Sequence, residues 1–428
     1  MTSRLVRAAR GMAVDVSPVR ESSDYRLMIS GQLVSMIGRQ LTIVAVPYQV
    51  YLLTGSSFAV GMIGLVQVLP VFAVGLYAGA LADRVDRRRL LLVALALEGV
   101  TSLLLMLGAL HVRTPLAYIY AITAAGAAVQ MFEQPTRSAM IPRLVTPRRV
   151  PAAMALNQVL FQTGLIVGPA LAGLIIAHAG LFWTYAGDAF SYLVALATVF
   201  KMGSQPPSNE ARPAGLRAPL DALAFIRDKP VLLSIFLIDL DAMIFGMPRA
   251  VFPALATTVF HTGPTGLGLL YSSLGVGGLG GALLTGWISR VVHRGRVVIW
   301  SVLAWGAAIT LFGVTTFHPS WFWIGLLMLA LASAADVFSA VFRGTILQLA
   351  VPDGWRGRMS ALNIMVVTGG PRLGDAETGV VATLSTVQVS VISGGLACIV
   401  GAVVLTLAVP ALRDYRAARS PDPAAVVS

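Results

Sequence analysis

FAVGMIGLVQVLPVFAVGLYAGAL (58–81), ADRVDRRR (82–89) and LLLVALALEGVTSLLLMLGALH (90–111) follow one another in this chain. Crossing the hydrocarbon of a bilayer takes about 20 mostly apolar residues in a helix, and the two outer pieces are that long. The middle piece gathers Arg84, Arg87, Arg88 and Arg89 into a turn too polar to enter lipid. This is a helical hairpin with its turn in water.

Read outward, the same pattern recurs. It predicts spans near 27–52, 58–81, 90–111, 116–138, 153–177 and 182–201, then 232–259, 266–289, 297–317, 321–343, 359–384 and 388–410. The whole composition agrees: of 428 residues, 57% are hydrophobic and 12% charged, with mean hydropathy +0.80, too apolar for a soluble chain of this length. The expected fold class is an all-α membrane protein of twelve transmembrane helices. Cys398 is the single cysteine and the histidines are scattered, so neither a disulfide framework nor a Cys/His metal site is expected. The first residues carry Arg4, Arg7, Arg10 and Arg20 without an apolar core behind them, which reads as a solvated tail.

Basic residues flanking spans stay on the cytoplasmic side. With both termini placed there, Arg113 is the one loop arginine on the opposite side, and Arg39, Arg137, Arg249, Arg343 and Arg372 fall within spans. The net charge of +12 is thereby a topology signal and calls for no nucleic-acid partner. The expected organisation is a cytoplasmic N-tail (1–26), a six-helix bundle (27–202), a cytoplasmic linker opening on PPSNEARPAG (203–231), a second bundle (232–410) and a cytoplasmic C-tail (411–428).

The two bundles repeat each other. FEQPTR (132–137) leads to ALN (155–157), and FSAVFR (338–343) leads to ALN (361–363), so Arg343 follows Arg137 by 206 positions and Asn363 follows Asn157 by the same step. Gly164, Gly168 and Gly173 recur as Gly370, Gly374 and Gly379. Paired bundles of this kind place a binding site between them near mid-depth and work by rocking one half against the other.

The turn after the second span, with Gly79, Asp83, Arg84, Arg87 and Arg88, resembles the signature loop of the major facilitator superfamily, although Asp86 stands where that pattern has glycine. Gly79 permits close helix approach, and Asp83 is a short anion suited to an arginine partner. The resemblance implies a latch on the cytoplasmic gate. A weaker echo, with Gly286, Arg290, Arg294 and Arg296, stands in the second half. In the fifth span Gly164, Gly168, Pro169 and Gly173 are similar to the motif associated with antiporters of that superfamily; ordinary small-residue packing of two helices explains the same spacing. RAVFPALA (249–256), GLGLLYSSLGVGGLGGALLTG (266–286) and LGDAETG (373–379) look like the branch that holds the enterobactin exporter and its multidrug-efflux relatives, over residues 27–410. The chain departs from that branch in the intramembrane charges Asp188, Asp239 and Asp241.

That resemblance implies an inner-membrane exporter of a siderophore or drug-like small molecule, exchanging it for protons as a monomer. It also implies that the first, fourth, seventh and tenth spans line the cavity, where Arg39, Glu133, Arg137, Asp239, Asp241, Arg249, Asp336 and Arg343 lie. Gln32 and Gln40 add polar groups there. A charge inside a span must be paired or useful. Glu133 and Arg137, four apart, and Asp336 and Arg343, seven apart, share helix faces and suit ion pairs, whereas Asp239 and Asp241 point about 200° apart. Glu133, Asp336, and one of Asp239 and Asp241 are the proton-coupling candidates; Arg249 and Arg343 suit an anionic or catechol cargo. Import, or movement of a lipid-like substrate, by the same fold stays open, as does a sensor or scaffold. Catalysis has no supporting motif, no cofactor is implied, and Lys201 and Lys229 lie outside any phosphate-binding loop. A green fluorescent reporter fused after residue 203 is expected to fluoresce in the cytoplasm, and alkaline phosphatase at the same point to be inactive.

Overall fold

The computed structural model describes residues 15–206, 218–285 and 291–415. Among the described residues, ten stretches are long and apolar enough to cross a membrane. One of them contains the helix Val150–Phe200, which Gly180 divides by adopting a left-handed φ of 86°. A further helix, Arg356–Leu384, has the length but carries Arg372, Asp375 and Glu377. Counted so, twelve long helices result among the described residues: α1 Ser23–Thr54, α2 Ser57–Arg84, α3 Arg87–Gly108, α4 Leu116–Leu144, α5 over 150–179, α6 over 181–200, α7 Pro230–Phe245, α8 Gly263–Leu283, α9 Arg294–Thr315, α10 Phe322–Ala350, α11 Arg356–Leu384 and α12 Val387–Ala408. Each predicted span overlaps one of them, but the seventh, expected as one span over 232–259, is broken after Phe245, and the end expected for the eighth, to 289, lies partly outside the described residues.

Helix ends follow local chemistry. Ser22, Ser56, Asp86 and Thr386 each accept a backbone N–H of the first turn, from Tyr25, Ala59, Arg89 and Val389. Gly55, at φ 61°, closes α1 in the left-handed form that a side chain would strain. We call the end of the bundle where α1 begins and α12 finishes the tail end, and the opposite one the far end. At the far ends of α3 and α5, His111 and His178 turn Nδ1 onto the carbonyls of Leu107 and Leu174, at 3.3 and 2.9 Å, supplying donors that the last turn of a helix lacks.

The repeat read in the sequence is a repeat of contacts. Gly164 faces Met36 of α1, and Gly370 faces Met243 of α7. Gly168 lies over Ile37 and Gln40, and Gly374 over Met243 and Ile244. Gly173 meets Pro264 and Gly268 of α8, and Gly379 meets Ser57 and Gly61 of α2. The last pair of crossings joins the two halves: α5 packs on α8, and α2 on α11. At Gly61 an added Cβ would lie 2.5 Å from the Asp375 carbonyl oxygen, and at Gly268 2.5 Å from that of Pro169, so backbone touches backbone. These approaches occupy the far half of each helix and seal that end.

At the tail end, the helix Ala218–Arg227 docks on the second half. Phe225 stacks on Trp355 with centroids 4.3 Å apart, Asp221 pairs with Arg358 at 3.6 Å, and Ala222 and Ile226 are buried with Leu232 and Met359. Gly61→Val, which drives a branched side chain into the α2–α11 seam, is expected to destabilise the fold by about 1–3 kcal/mol, seen as a lower melting temperature in detergent. Gly344→Ala, where a Cβ meets nothing within 4 Å, should leave it unchanged.

Candidate functional site

Each half buries a cluster of three charges at mid-depth. In the first half, Glu133 of α4 lies between two guanidiniums: Arg137, one turn along the same helix, donates Nε to Oε1 at 2.9 Å, and Arg39 of α1 donates to Oε2. In the second half the signs are exchanged. Arg343 of α10 donates to Asp239 of α7, and Asp336 of α10 stands 3.8 Å from its other terminal nitrogen. The repeat-related residues Arg137 and Arg343 are both buried, and each is anchored by a carboxylate. The i, i+4 pair expected at Glu133 and Arg137 is present; Arg343 takes Asp239 across helices as its nearer partner, with Asp336 second.

Between the halves, from mid-depth toward the far end, lies a cavity of about 430 Å³. One wall is built from i, i+3 and i, i+4 pairs, the spacings that place two side chains on one helix face: Arg39 with Thr42 on α1, Glu98 with Ser102 on α3, and Asp188 with Tyr192 on α6. Asp188 Oδ2 accepts the Ser102 hydroxyl at 2.7 Å and that of Thr42 at 2.5 Å, while Oδ1 is buried without a partner. Arg39 donates Nε to the Tyr192 hydroxyl at 3.3 Å, and that hydroxyl donates to Glu98 Oε2 at 3.4 Å; Glu98 Oε1 is buried and unpartnered.

The opposite wall comes from a broken helix and from α11. After Phe245 the helix α7 stops at Gly246 and Pro248, makes a tight turn over Pro248–Val251, and resumes to Val259. The break leaves the Gly246 carbonyl free for the Trp305 Nε1–H, 3.0 Å away, and irregular backbone inside a membrane is tolerated only where such groups are satisfied or line a cavity. Arg249 emerges from this break onto the wall, with its Nη2 3.5 Å from Met247 Sδ and its Nε unpartnered. From α11, Arg372 donates Nε to Gln67 of α2 at 3.0 Å, which ties the halves together at the cavity roof, and Asp375 keeps a buried, unpartnered Oδ1.

Of the residues expected on the cavity wall, Arg39 and Arg249 are there. Gln40 instead packs under Gly168 of α5, because it lies one position, about 100°, around the helix from Arg39. Gln32 donates to Asn157 Oδ1 at 2.7 Å, an α1–α5 contact. Arg137 and Arg343 are drawn back into their ion-paired clusters. Asp239 and Asp241 do diverge: Asp241 turns to α12, where Gly401 leaves room for its carboxylate. Glu98, Asp188, Tyr192, Arg372 and Asp375 were not among the expected wall residues, because α3, α6 and α11 lie outside the four helices that the resemblance singles out. Their signal was nonetheless present, as mid-span charges with a hydroxyl one turn away.

Gly164, Gly168, Pro169 and Gly173 form the close packing of α5 on α1 and α8. In the basic turn, the side chains of Gly79 and Asp83 lie outside the described residues, as do Gly286 and Arg290. Arg84 is exposed. Arg87 reaches the Ala139 carbonyl at 3.4 Å, and Arg88 donates Nε to that of Val199 at 3.1 Å, at the tail end of α6. Asp86 holds the N-terminus of α3 and accepts the Gln205 N–H at 3.0 Å. Burial raises the Asp86 pKa, but the Ser204 hydroxyl and the N–H groups of Arg89, Gln205 and Arg88 outweigh it and hold the carboxyl below its usual value. This stabilisation is present above the ordinary aspartate pKa of about 3.9 and is lost as pH falls through the lowered folded value.

A family model described as "Transmembrane secretion effector" matches residues 13–426. The chain belongs to that family. It is a major facilitator superfamily transporter, not an enzyme, and a multi-pass membrane protein. The transporter is 26% identical to the enterobactin exporter EntS of Citrobacter koseri over 403 residues, covering 94% of this chain and 96% of that one, and equally so to EntS of Escherichia coli O1:K1. Its fold is similar to that of a point variant of the nucleoside transporter NupG, with a TM-score of 0.73 at 14% identity over 90% of this chain and 99% of that one. A bacterial homologue of the lysosomal transporter Spinster gives a TM-score of 0.70 at 14% identity over 95% and 100%.

For this transporter, removing one member of a buried ion pair is expected to be costly, because the other charge stays behind. Asp239→Asn should lower stability by about 3–5 kcal/mol, measured as loss of thermal stability in detergent. The double variant Asp239→Leu, Arg343→Met should recover most of it.

Proposed function

We propose that the transporter exports a small molecule of siderophore or drug-like type from the cytoplasm by alternating access, exchanging it for protons. The tail end is the cytoplasmic one on this reading, because the basic turns cluster there, and both chain termini lie in the cytoplasm at the inner membrane. The six-helix bundles before and after the 203–231 linker act as the two rocking bodies, and the working unit is a monomer. The cavity, sealed at the far end by the α2–α11 and α5–α8 crossings, then faces inward, ready to load.

One observation carries the cargo class. Among the described residues Arg249 has no carboxylate within 4.0 Å, so its guanidinium stands on the cavity wall without a contact ion pair, with Asp375 as a more distant anion on the same lining. Guanidinium is a planar donor that forks onto carboxylate or catecholate oxygens. Tyr271 on the same wall offers an aromatic face beside it. The related proteins, named as enterobactin exporters, support the same choice.

The test uses inside-out vesicles carrying the transporter, radiolabelled enterobactin and an imposed pH gradient, acid inside the vesicle. Accumulation is expected in vesicles with the wild-type chain, and Arg249→Gln should reduce its initial rate about tenfold or more, the worth of a charge-assisted hydrogen bond. Unchanged uptake by that variant would remove Arg249 from cargo recognition. Absence of gradient-dependent uptake of enterobactin, together with uptake of a cationic drug, would move the cargo to the other class.

A further inference from the structure

We infer that Glu98 of α3 and Asp188 of α6 are the groups that carry the coupling proton, and that Tyr192 and Arg39 connect them to the buried Glu133 cluster. The inference rests on the proton-exchange reading above and names its site.

The acids with arginine partners are poor carriers. Both oxygens of Glu133 are occupied, one by Arg39 and one by Arg137, and Asp239 is held by Arg343. Protonating Glu133 would strand two guanidiniums in the low-dielectric interior, and protonating Asp239 would leave Arg343 only Asp336 at 3.8 Å; poorly compensated buried charge is disfavoured. Glu98 and Asp188 differ in each respect. They are 7% and 2% exposed, they line the cavity, neither has an arginine within 4.0 Å among the described ion pairs, and each keeps one buried oxygen that nothing in the chain satisfies. A proton on that oxygen removes the buried charge without leaving an opposite one behind.

The groups facing the pair complete the circuit. From α1 comes Arg39; from α4, Glu133 with Arg137 beyond it; from α6, Tyr185, which donates to Gln49 Oε1 at 2.7 Å, and Tyr192. Across the cavity stand Arg249, Arg372 and Asp375. Arg39 is the shared element. It holds Glu133 through Nη2 and touches Tyr192 through Nε, and the same tyrosine reaches Glu98. When Glu98 and Asp188 are neutral acids, Glu133 is the one carboxylate left to hold Arg39. When they release their protons to water, two carboxylates appear on its other side and draw it along α1, toward the cavity. Each proton enters as a hydrated proton from the far side and leaves to water on the tail side, so that for each proton moved one carboxylate becomes one carboxylic acid and back again. Thr42 and Ser102 hold Asp188 Oδ2 by their hydroxyls, which fixes the carboxyl and leaves Oδ1 as the oxygen that changes state.

Two measurements test the site. The first needs no cargo: infrared difference spectra of the purified transporter in liposomes, taken between acid and mildly alkaline pH. The wild type should show a protonated-carboxyl stretch that disappears on alkalisation, and the double variant Glu98→Gln, Asp188→Asn should lack that component. Identical spectra overturn the inference. The second measures radiolabelled enterobactin in proteoliposomes. The double variant should lose accumulation driven by a pH gradient at least tenfold, while exchange of labelled for unlabelled enterobactin at uniform pH and the melting temperature are retained. A double variant that still accumulates cargo against the gradient overturns the inference. A wild type that exchanges enterobactin yet ignores the pH gradient overturns proton exchange itself, a result distinguishable from the others.

Discussion

A guanidinium inside a bilayer has to meet a counter-charge within the protein, since lipid offers none. Arg137 and Arg343 impose that condition at equivalent places in the two halves, and much of the interior is arranged around meeting it. In the first half the carboxylate comes from the same helix, and Arg39 is recruited as a second cation. In the second half the carboxylate comes from α7, and Asp336 is the surplus anion. One ancestral arginine position is thus embedded in two clusters of opposite net sign. The two copies of the repeated backbone therefore hold different electrostatic environments at the same depth.

The cavity inherits that division. Its first-half wall is rich in acid and hydroxyl groups, and its second-half wall in guanidinium. The α7 break, made by Gly246 and Pro248 and repaired by Trp305, sets Arg249 at the wall instead of back in the cluster. Continuous α4 keeps Glu133 and Arg137 one turn apart on one face, so they pair locally. A helix that stops and restarts can aim a side chain where the periodicity of a regular helix would not.

Much of this fold was legible in the sequence. The twelve spans are set by hydrocarbon thickness, a constraint that acts on each segment by itself, and the 206-residue repeat reports helices that fold alike. Glu133 with Arg137 was legible for the same reason, being a neighbour relation within one helix. What could not be read were relations between helices: that Arg343 prefers Asp239, that Gln40 turns to α5, and that Glu98 and Asp188 meet behind Arg39. These depend on how each helix is rotated about its axis, which long apolar spans leave weakly marked because lipid and protein interior are similarly apolar. Expecting four helices to line the cavity further hid the polar faces of α3, α6 and α11.

The seams that close the far end are made of glycine backbone pressed on backbone, Gly61 against Gly379 and Gly173 against Gly268. Interlocked side chains would have to disengage and climb between rotamers before such a joint could turn. Bare peptide surfaces have no teeth to lift. The joint is built like a plain bearing, smooth backbone on smooth backbone, and the Arg372–Gln67 hydrogen bond is a directional side-chain tie across it.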